Sequence, residues 1–489
     1  MGRKSYWYLI IRILLFLVFL PNSLFAQEYP CYSLDAVLSF YTQTNDYIKL
    51  QADSIVQNNK RRLFKIKTLP SFSLQLSTPN IINNITPIVQ PDGSELFNNR
   101  FNASTNVSIS ASQLLPFTGG TITATSSLVR FDNIIPTKNT SYNLNLINLS
   151  YNQTLSGYNA YKWEKRQFEV EDKNNTIQRH MEKERILSEI TSLFFELYVA
   201  QEEYRALEES EKLAAYIYEK SSELYMQGRL SYEDYLDAQI EYKRTTIRKT
   251  DYAINNARER LRTYLNLSEP TFSVQFDLDR WAMSEFHFID DSTLARRVIY
   301  YSIGREREVE EIANRLQLKR IKAEKSPLIS LSIGGGVNTQ SEEFKKIFNS
   351  FNSRLNVSFS ISLPIVDWGK NKLQYENKLE SIRIQELNYS SREKQIYALC
   401  TYDMAVLSSI LMEIKAEKDM IELLYLRIEK LKENVSFGKI DSAEISRCQT
   451  RLIQAQIQNI NRLQQLFSII YRYRVQALYD IRTGKYLSN

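Results

Sequence analysis

Two long stretches without helix-breaking residues constrain this sequence more than any other feature. Tyr158–Leu267 contains no proline and one glycine, Gly228, and Lys370–Thr483 contains no proline and only Gly438. Both are rich in Glu, Lys, Arg and Leu, which are good helix formers. A helix of about 70 residues would be roughly 105 Å long, far beyond the usual length in globular domains. The pattern predicts two long helical hairpins, each turning at its glycine.

Apolar residues spaced three or four apart in both stretches predict a seam along which antiparallel helix arms pack. The seam residues are Leu187, Ile190, Phe194 and Leu197 in the first stretch and Ile421, Leu424, Ile428 and Leu431 in the second.

The two glycines belong to an internal repeat. They are 210 residues apart, and Leu155–Asn159 corresponds to Ile365–Gly369 at the same offset. Chance similarity between two helical regions would not also bring the segments before the helices into register. The sequence therefore predicts a tandem duplication, in which each half runs helix, strands, long helix, turn and helix.

The segments before the long helices alternate between apolar and small polar residues. Arg354–Leu363 alternates Leu, Val, Phe and Ile with Asn and Ser, and Ser71–Ser77 and Asn106–Ser112 show the same pattern. A period of two places all apolar side chains on one face of a strand. Because the other face is small and almost uncharged, the pattern favours the strands of a transmembrane β-barrel. A soluble β-sandwich is the alternative, and its exposed face would usually carry more charge.

The first half contains one more hairpin than the second. Phe117–Gly120 predicts a turn between two further strands, one ending near Leu114 and one starting at Thr121. The sequence leaves open whether this hairpin joins the barrel or projects from it. Four to six strands cannot close a pore, since the smallest spanning barrels have about eight. A barrel shared among copies in a closed ring is therefore expected.

The N-terminus predicts export. Arg3 and Lys4 precede the apolar run Leu9–Leu20, and Ala26 offers a cleavage site, which is the layout of a signal peptide. A membrane anchor is the alternative, but the run is short for one. No later stretch reaches 18 apolar residues. The polar loops between the strands are expected to face the exterior; they lie near Asn80–Asn102, Asn133–Thr140 and Thr339–Asn352.

Composition argues against enzymes and nucleic-acid binding. Two His and three Cys leave little for a metal cluster or a catalytic triad, and the cysteines lack metal-ligand spacing. The net charge of +6 is modest, and no Lys/Arg run occurs. Gly334–Gly336 lacks the Lys-Ser/Thr of a phosphate loop, so it predicts a flexible or closely packed strand. We therefore expect no catalytic residue, no cofactor and no metal site.

These features together resemble the outer membrane efflux protein family, the TolC-type channel-tunnels. The matching motifs are the strand start at Leu69–Ser73, the strand end at Leu363–Gly369, and the pattern Tyr225, Gly228 and Ser231 at the first turn. The resemblance implies a homotrimer in the outer membrane with four strands per protomer and a long periplasmic α-barrel. It also implies a periplasmic adaptor (membrane fusion) protein and an inner-membrane pump as partners. The extra hairpin departs from the family pattern.

The expected fold class is an α+β membrane protein, in which a tandem repeat gives a shared transmembrane β-barrel and a long periplasmic α-helical coiled-coil barrel, as a trimer. The expected function is that of a passive duct in a tripartite efflux or type I secretion system. A structural or adhesive coiled-coil surface protein is the alternative, and single-channel conductance separates the two. The predicted segments are a signal peptide (1–26), the first helix (27–68), strands with the extra hairpin (69–156), a helical hairpin with its tip at 228 (157–267), an equatorial linker (268–290), a second-repeat helix (291–326), strands (327–366) and a helical hairpin with its tip at 438 (367–489).

The hairpin tips are the predicted adaptor contact. Gly228 and Gly438 allow the sharp turns, and the residues beside them are unexpectedly apolar for an exposed tip. Packing between the two arms of a hairpin is the alternative. The predicted contact residues are Met226, Gly228, Leu230, Phe437, Gly438 and Ile440.

Charged residues just past the turns are the predicted gate. Asp234 and Asp237 share a helix face in the first hairpin, and Glu444 and Arg447 occupy the matching positions in the second. If the helices converge on an axis, the carboxylates form a ring that attracts cations. Arg447 instead favours a salt-bridge latch, through Asp234 or Glu444. A solvated helix face is the third interpretation.

Overall fold

A computed structural model describes residues 30–135, 138–248, 251–277, 290–436 and 442–487. The predicted signal peptide and the second turn, residues 437–441, lie outside these residues. The strands are β1 Cys31–Ser33, β2 Ser71–Val89, β3 Glu95–Leu114, β4 Thr121–Ile135, β5 Asn139–Thr154, β6 Ser273–Gln275, β7 Leu328–Ser341, β8 Asn352–Ser362, β9 Tyr479–Asp480 and β10 Lys485–Tyr486.

Long helices dominate the rest of the described chain. The helices are α1 Leu34–Ser39, α2 Asn45–Ile66, α3 Ala160–Met226, α4 Tyr232–Arg248, α5 Tyr252–Leu265, α6 Asp291–Ile299, α7 Arg305–Lys325, α8 Lys370–Ser436 and α9 Ser442–Ala477. Both α3 and α8 have 67 residues, as their freedom from Gly and Pro predicts.

The chain divides into two compact units. The first takes its described residues from 1–48, 183–287 and 405–472, and the second from 49–182, 288–404 and 473–489.

The first unit has a core formed by α3, α4, α8 and α9. Side chains spaced three or four apart on each helix meet there, with Ile421, Leu424 and Leu431 of α8 packed against the edge of the cluster. Burial of this kind stabilises long amphipathic helices more than helix propensity does. We call it the hairpin core; it comprises Leu213, Ile217, Ala238, Ile428, Ile445, Cys448 and Leu452.

A second apolar cluster of this unit surrounds β6. β1 and β6 pair in parallel, and the backbone N–H of Val274 donates to Oε1 of Gln201 on α3 at 3.0 Å. Just beyond β6, the ring of Phe276 lies 5.2 Å from Phe195 and 5.8 Å from Phe467. Three rings from α3, α9 and the segment after β6 thus join these parts of the unit.

The second unit contains one six-stranded antiparallel sheet. Its order is β2-β3-β4-β5-β7-β8, so strands from both halves of the chain share it. β3 ends at Leu114 and β4 starts at Thr121, as the turn signal predicts, and both strands pair along the sheet. The extra hairpin therefore joins the sheet. Six strands replace the four that the family resemblance implies.

One exterior loop prediction is wrong in its local structure. Most of residues 80–102 is strand, because β2 and β3 continue past a register shift between Ser77 and Asn80 and pair as far as Val89 and Glu95. β4 accompanies β3 only to Phe101, so the outer part of β2 and β3 is a two-stranded ribbon. Asn and apolar residues are mixed in this part without strict alternation, so a prediction based on polarity reads it as a loop.

Close approach of the neighbouring strand explains a glycine at Gly336, in the glycine-rich segment of β7. A Cβ atom at this position would lie 2.3 Å from the carbonyl oxygen of Ile147, on the neighbouring strand β5. The pairing between β5 and β7 shifts register at Asn145 and Ile147, which brings the two backbones together. The segment is a closely packed strand, one of the two expected alternatives.

Polar contacts join the helices of the second unit in pairs. Arg61 of α2 donates to Asp172 of α3 at 2.5 Å, and Lys67 donates to Glu164 at 2.6 Å. On the other pair, Arg392 of α8 donates to Glu306 of α7 at 2.8 Å. These pairs are partly exposed, so each contributes little energy and mainly favours one alignment of the helices.

Part of α8 is more apolar than the sequence analysis expects. One window of 18 residues within Lys370–Asn434 is apolar enough, by length and composition alone, to cross a membrane, and 28% of it is buried. α8 also carries a buried carboxylate, Asp403, which accepts a hydrogen bond of 2.9 Å from the hydroxyl of Tyr473 on α9. A buried acid with a protein partner is typical of a packed helix.

Candidate functional site

One face of the sheet is lined by small, almost uncharged polar side chains. The hydroxyls of Ser73 and Ser110 lie 2.7 Å apart across β2 and β3, and those of Ser330 and Ser360 lie 2.6 Å apart across β7 and β8. In the part of the sheet nearest Ser71 the register continues this face through every strand, whereas farther along β4 Val129 and Phe131 lie on it. One complete row is formed by Ser71, Ser112, Thr123, Ser150, Gly334 and Asn356.

The opposite face is apolar and largely exposed. Phe72 on β2 is 75% exposed and Leu355 on β8 is 78% exposed, although both lie in regular paired strands. Large apolar side chains exposed over a whole sheet need a covering, which in a soluble protein would be a second layer. The apolar face includes Phe72, Leu74, Leu76, Val107, Ile109, Leu149, Ile333, Leu355, Val357, Phe359 and Ile361.

The first hairpin turns through a short, fully capped tip, defined here as residues 226–231. Gly228 has φ +71°, its N–H donates to the carbonyl of Tyr225, and the N–H of Arg229 donates to the carbonyl of Leu224, both at 2.9 Å. This is a Schellman motif, which needs a residue in the left-handed region. Ser231 then caps α4, since its Oγ accepts from the N–H of Asp234 at 3.0 Å. The predicted role of Gly228 in the turn is therefore visible in the backbone.

The apolar residues of the first tip differ in exposure. Met226 is 80% exposed, whereas Leu230 is half-buried. Met226 therefore offers apolar surface to a partner, and Leu230 already packs in part within the chain. Phe437, Gly438 and Ile440 lie outside the described residues.

The two acidic residues after the first turn have different surroundings. Asp234 is exposed and accepts a 2.5 Å hydrogen bond from the hydroxyl of Ser231, so it takes part in the helix cap. Asp237 is exposed one turn further along α4. Any gating role of Asp234 must be separated from its capping role.

In the second hairpin, the predicted gate residues also separate. Glu444 is half-buried and accepts a hydrogen bond from Arg427 of α8, while Arg447 is exposed. The hydrogen bond to Glu444 raises the pKa of Arg427 above its usual value. Arg427 thus supplies Glu444 with a partner that the sequence analysis did not consider.

A ladder of tyrosine rings, not among the features expected from the sequence, joins the arms of the first hairpin. Tyr225 stacks on Tyr235 at 5.2 Å, and Tyr218 stacks on Tyr242 at 5.6 Å. The hydroxyls of Tyr218 and Tyr235 lie 3.3 Å apart, and this contact raises the pKa of Tyr235. Seven-residue spacing on both arms was the available signal.

Comparison with solved structures places this architecture among known channels. The Campylobacter jejuni outer membrane channel CmeC is 15% identical with a TM-score of 0.64, over 93% of this chain and 87% of that chain. CusC, described in connection with transmembrane channel formation, is 13% identical with a TM-score of 0.62, over 92% and 93% of the two chains. The chain has the fold of the outer-membrane channels.

The outer-membrane channel fold is recognised from structure alone. The outer membrane protein VceC of Vibrio cholerae matches with a TM-score of 0.58 at 12% identity, over 91% of this chain and 96% of that chain. No protein-family model matches the sequence, and no curated protein sequence matches it. Each of the three matches covers more than nine-tenths of this chain.

The channel fold contains no cluster suited to metal chemistry among the residues that the structure describes. There, no group of three or more His, Cys, Asp or Glu side chains could hold a metal ion.

Burial raises the pKa of Glu202 on α3 above its usual range, and Glu209 adds to this effect while Arg205 opposes it. Burial also raises the pKa of nearby Tyr198 to about 12. Both residues, Tyr198 and Glu202, lie on the part of α3 that belongs to the first unit.

Proposed function

We propose that this protein is the outer-membrane channel-tunnel of a tripartite efflux or type I secretion system. Three copies share one transmembrane β-barrel, and their helical hairpins form a tunnel in the periplasm. The assembly is a passive duct, which receives cargo from an inner-membrane pump through a periplasmic adaptor. It performs no chemistry on the cargo.

The observation that carries this proposal is the two-faced sheet. Its apolar face suits lipid, and its neutral polar face suits a water-filled lumen. Water alone would leave side chains such as Leu355, 78% exposed, without a covering. The alternative function, that of an adhesive coiled-coil stalk, would not require such a sheet between the helices.

Planar-bilayer recording tests the proposed function. The purified oligomer should insert and give discrete single-channel steps, because its lumen is continuous. An adhesive stalk would give no steps at any protein concentration. Oligomers that are intact by native mass spectrometry and still fail to conduct would refute the channel.

The adaptor contact is proposed at the first tip, at the side chain of Met226. Met226→Asp should abolish export in cells while the trimer still forms, because the charge replaces exposed apolar surface at the docking point. Ile247→Asp is the matched control, since Ile247 is 78% exposed on α4 but distant in sequence from the tip. Leu230→Asp with Ile440→Asp should also abolish export. Normal export by Met226→Asp would refute the contact.

The gate is proposed at the acidic residues. Asp234→Asn with Asp237→Asn should lower cation selectivity and the affinity of multivalent cation blockers, because a ring of carboxylates concentrates cations. Ser231→Ala is the control, since it removes the Asp234 hydrogen bond and keeps the charge. Arg447→Ala should raise resting conductance if a latch exists. Unchanged recordings for the acidic double variant and for Arg447→Ala would leave these residues without a gating role.

A further inference from the structure

The six-stranded sheet has two open edges. Within the described part of the chain, β2 pairs only with β3, and β8 pairs only with β7. Each edge strand therefore presents a row of backbone N–H and C=O groups on its outer side. In lipid such groups need partners, since each unpaired group costs several kcal/mol.

Strand direction makes the two edges complementary. The sheet is antiparallel throughout and has an even number of strands, so β2 and β8 run in opposite directions. β8 of one copy can therefore receive β2 of the next copy as another antiparallel neighbour. This contact is head-to-tail, and repeating it around an axis closes a ring.

The paired residues are staggered across the sheet by an amount that suits a closed barrel. Following the paired residues from the first residue of β2 leads through Ser71, Ser112, Thr123, Ser150, Gly334 and Asn356. Asn356 lies six residues before Ser362, the last residue of β8. If Ser71 of the next copy lies level with Ser362, the strands shift by six residues over six strands. At about 3.4 Å per residue and about 4.8 Å per strand, the tilt is about 35°, within the range of spanning barrels.

The faces of the two edges also agree in this register. Ser73 would meet Ser360, and both already belong to hydroxyl pairs on the polar face, with Ser110 and Ser330 respectively. Leu74 would meet Phe359, which continues the apolar face. A slip by one residue would place apolar side chains in the lumen, so the alternation disfavours it.

We propose that β2 of each copy pairs with β8 of a second copy, with Ser73 opposite Ser360, and that three copies close an eighteen-stranded barrel. This inference rests on the proposed trimeric channel and adds its strand count, register and width. The β3–β4 hairpin contributes six of the eighteen strands.

The extra hairpin widens the pore. Eighteen strands at this tilt give a backbone radius of about 17 Å, whereas twelve strands would give about 11 Å. The cross-section differs about twofold, and barrels of 16–18 strands enclose an aqueous channel. The cargo class that such a lumen admits is therefore bulky, neutral or polar molecules.

Cysteine cross-linking tests the register. In a Cys31→Ser background, which removes the exposed natural thiol, Ser73→Cys with Ser360→Cys should form disulfides between copies upon mild oxidation. Denaturing gels without reductant should then show species up to three chains. Ser73→Cys with Ser358→Cys, a slip of two residues, is the matched control and should cross-link much less. Stronger cross-linking in the control, or none in either variant of an intact oligomer, would overturn the register.

A deletion tests the width. Removing Glu95–Ile135 takes out β3 and β4 and lets β2 pair with β5 in antiparallel fashion, so conductance should fall to about half or less. The matched control replaces Ile85–Asn99 with Asn-Gly, which shortens only the outer ribbon because Asn84 and Arg100 are already paired. Its conductance should stay near that of the wild type.

The two proposals fail separately. A wild-type oligomer that conducts but loses no conductance on deletion of β3 and β4 would refute the eighteen-stranded barrel and leave the channel in place. If the deletion variant does not assemble, the cross-linking result and exclusion of large neutral polymers from the wild-type pore decide the matter. The lumen is narrower than the backbone radius because side chains line it, so exclusion of polymers that fit a barrel of about 17 Å backbone radius after this lining is subtracted would refute the width.

Discussion

The helical hairpins bury apolar side chains, whereas the sheet leaves apolar side chains exposed. Ile445 in the hairpin core is 1% exposed, whereas Phe359 on β8 is 58% exposed, and all of β8 is exposed. The hairpins bury their own apolar seam, so their stability comes from within the chain. Among the residues that the structure describes, no layer covers the apolar face of the sheet, so its stability must come from what surrounds it. One chain therefore combines a region that folds around its own core with a region whose apolar side chains are left exposed.

The largest expected effect comes from charging the apolar face. Val357→Arg should prevent stable membrane assembly, because an arginine at the bilayer midplane costs about 2–4 kcal/mol in each copy. Heat-modifiable mobility on gels, together with the yield of inserted protein, measures assembly. Ser358→Arg, next in sequence but on the polar face, should assemble and shift the pore toward anion selectivity. Equal assembly of both variants would contradict the assignment of the faces.

A substitution in the hairpin core should destabilise the protein without any effect of lipid. Ile445→Ala removes a buried side chain and should lower the free energy of unfolding of the hairpins by about 2–5 kcal/mol. Hydrogen exchange of α4 and α9, in detergent and in bilayers, measures this. Ile240→Ala, at a residue of α4 that is 61% exposed, should change little. A cost for Ile445→Ala that disappears in bilayers would mean that this core depends on the membrane.

A smaller effect is expected at the first tip. Gly228→Ala should cost about 1 kcal/mol, because φ +71° is unfavourable for a residue with a Cβ atom. Among the described residues other than its two chain neighbours, no atom lies within 4 Å of the position of the added methyl group, so the cost comes from the backbone conformation. Differential exchange at the end of α3 measures it, with Gln227→Ala as the control. Unchanged exchange would mean that the turn can rearrange.

The smallest effect depends on pH. Burial, together with Glu413, raises the pKa of Glu417 on α8, while Arg462 opposes the shift. A raised carboxyl pKa means that stability present below the unfolded pKa is lost as pH rises through the folded value. Glu417→Gln should therefore raise the thermal midpoint at neutral pH, with no difference near about pH 4. Glu413→Gln should lower it at neutral pH, because Glu413 lies 2.7 Å from Arg462. A lower midpoint for Glu417→Gln would contradict the sign.

Local signals in the sequence predict much of this contrast. Missing helix breakers predict α3 and α8, and alternation within Arg354–Leu363 predicts β8 to within two residues. The seam spacing predicts the burial of Ile190 and Phe194. These features follow from chain periodicity, which needs no knowledge of partners.

Contacts for which the chain offers several equivalent partners, such as ion pairs and strand registers, could not be predicted from the sequence. Glu444 pairs with Arg427, although many other basic residues lie along the same helices. Gly336 is needed only because β5 and β7 shift register beside it, and no local pattern marks that shift. The continuation of β2 beyond Ser77 was hidden by its many asparagines.

The open edges of the sheet also matter for a single chain. One chain alone carries two unpaired strand edges and an exposed apolar face, which favour pairing with any available strand. In the proposed ring, closure removes both edges at once, whereas an incomplete set of copies leaves two. Ring closure therefore competes with aggregation. The yield of assembled protein should fall when chains are produced faster than the periplasm can protect them from aggregation.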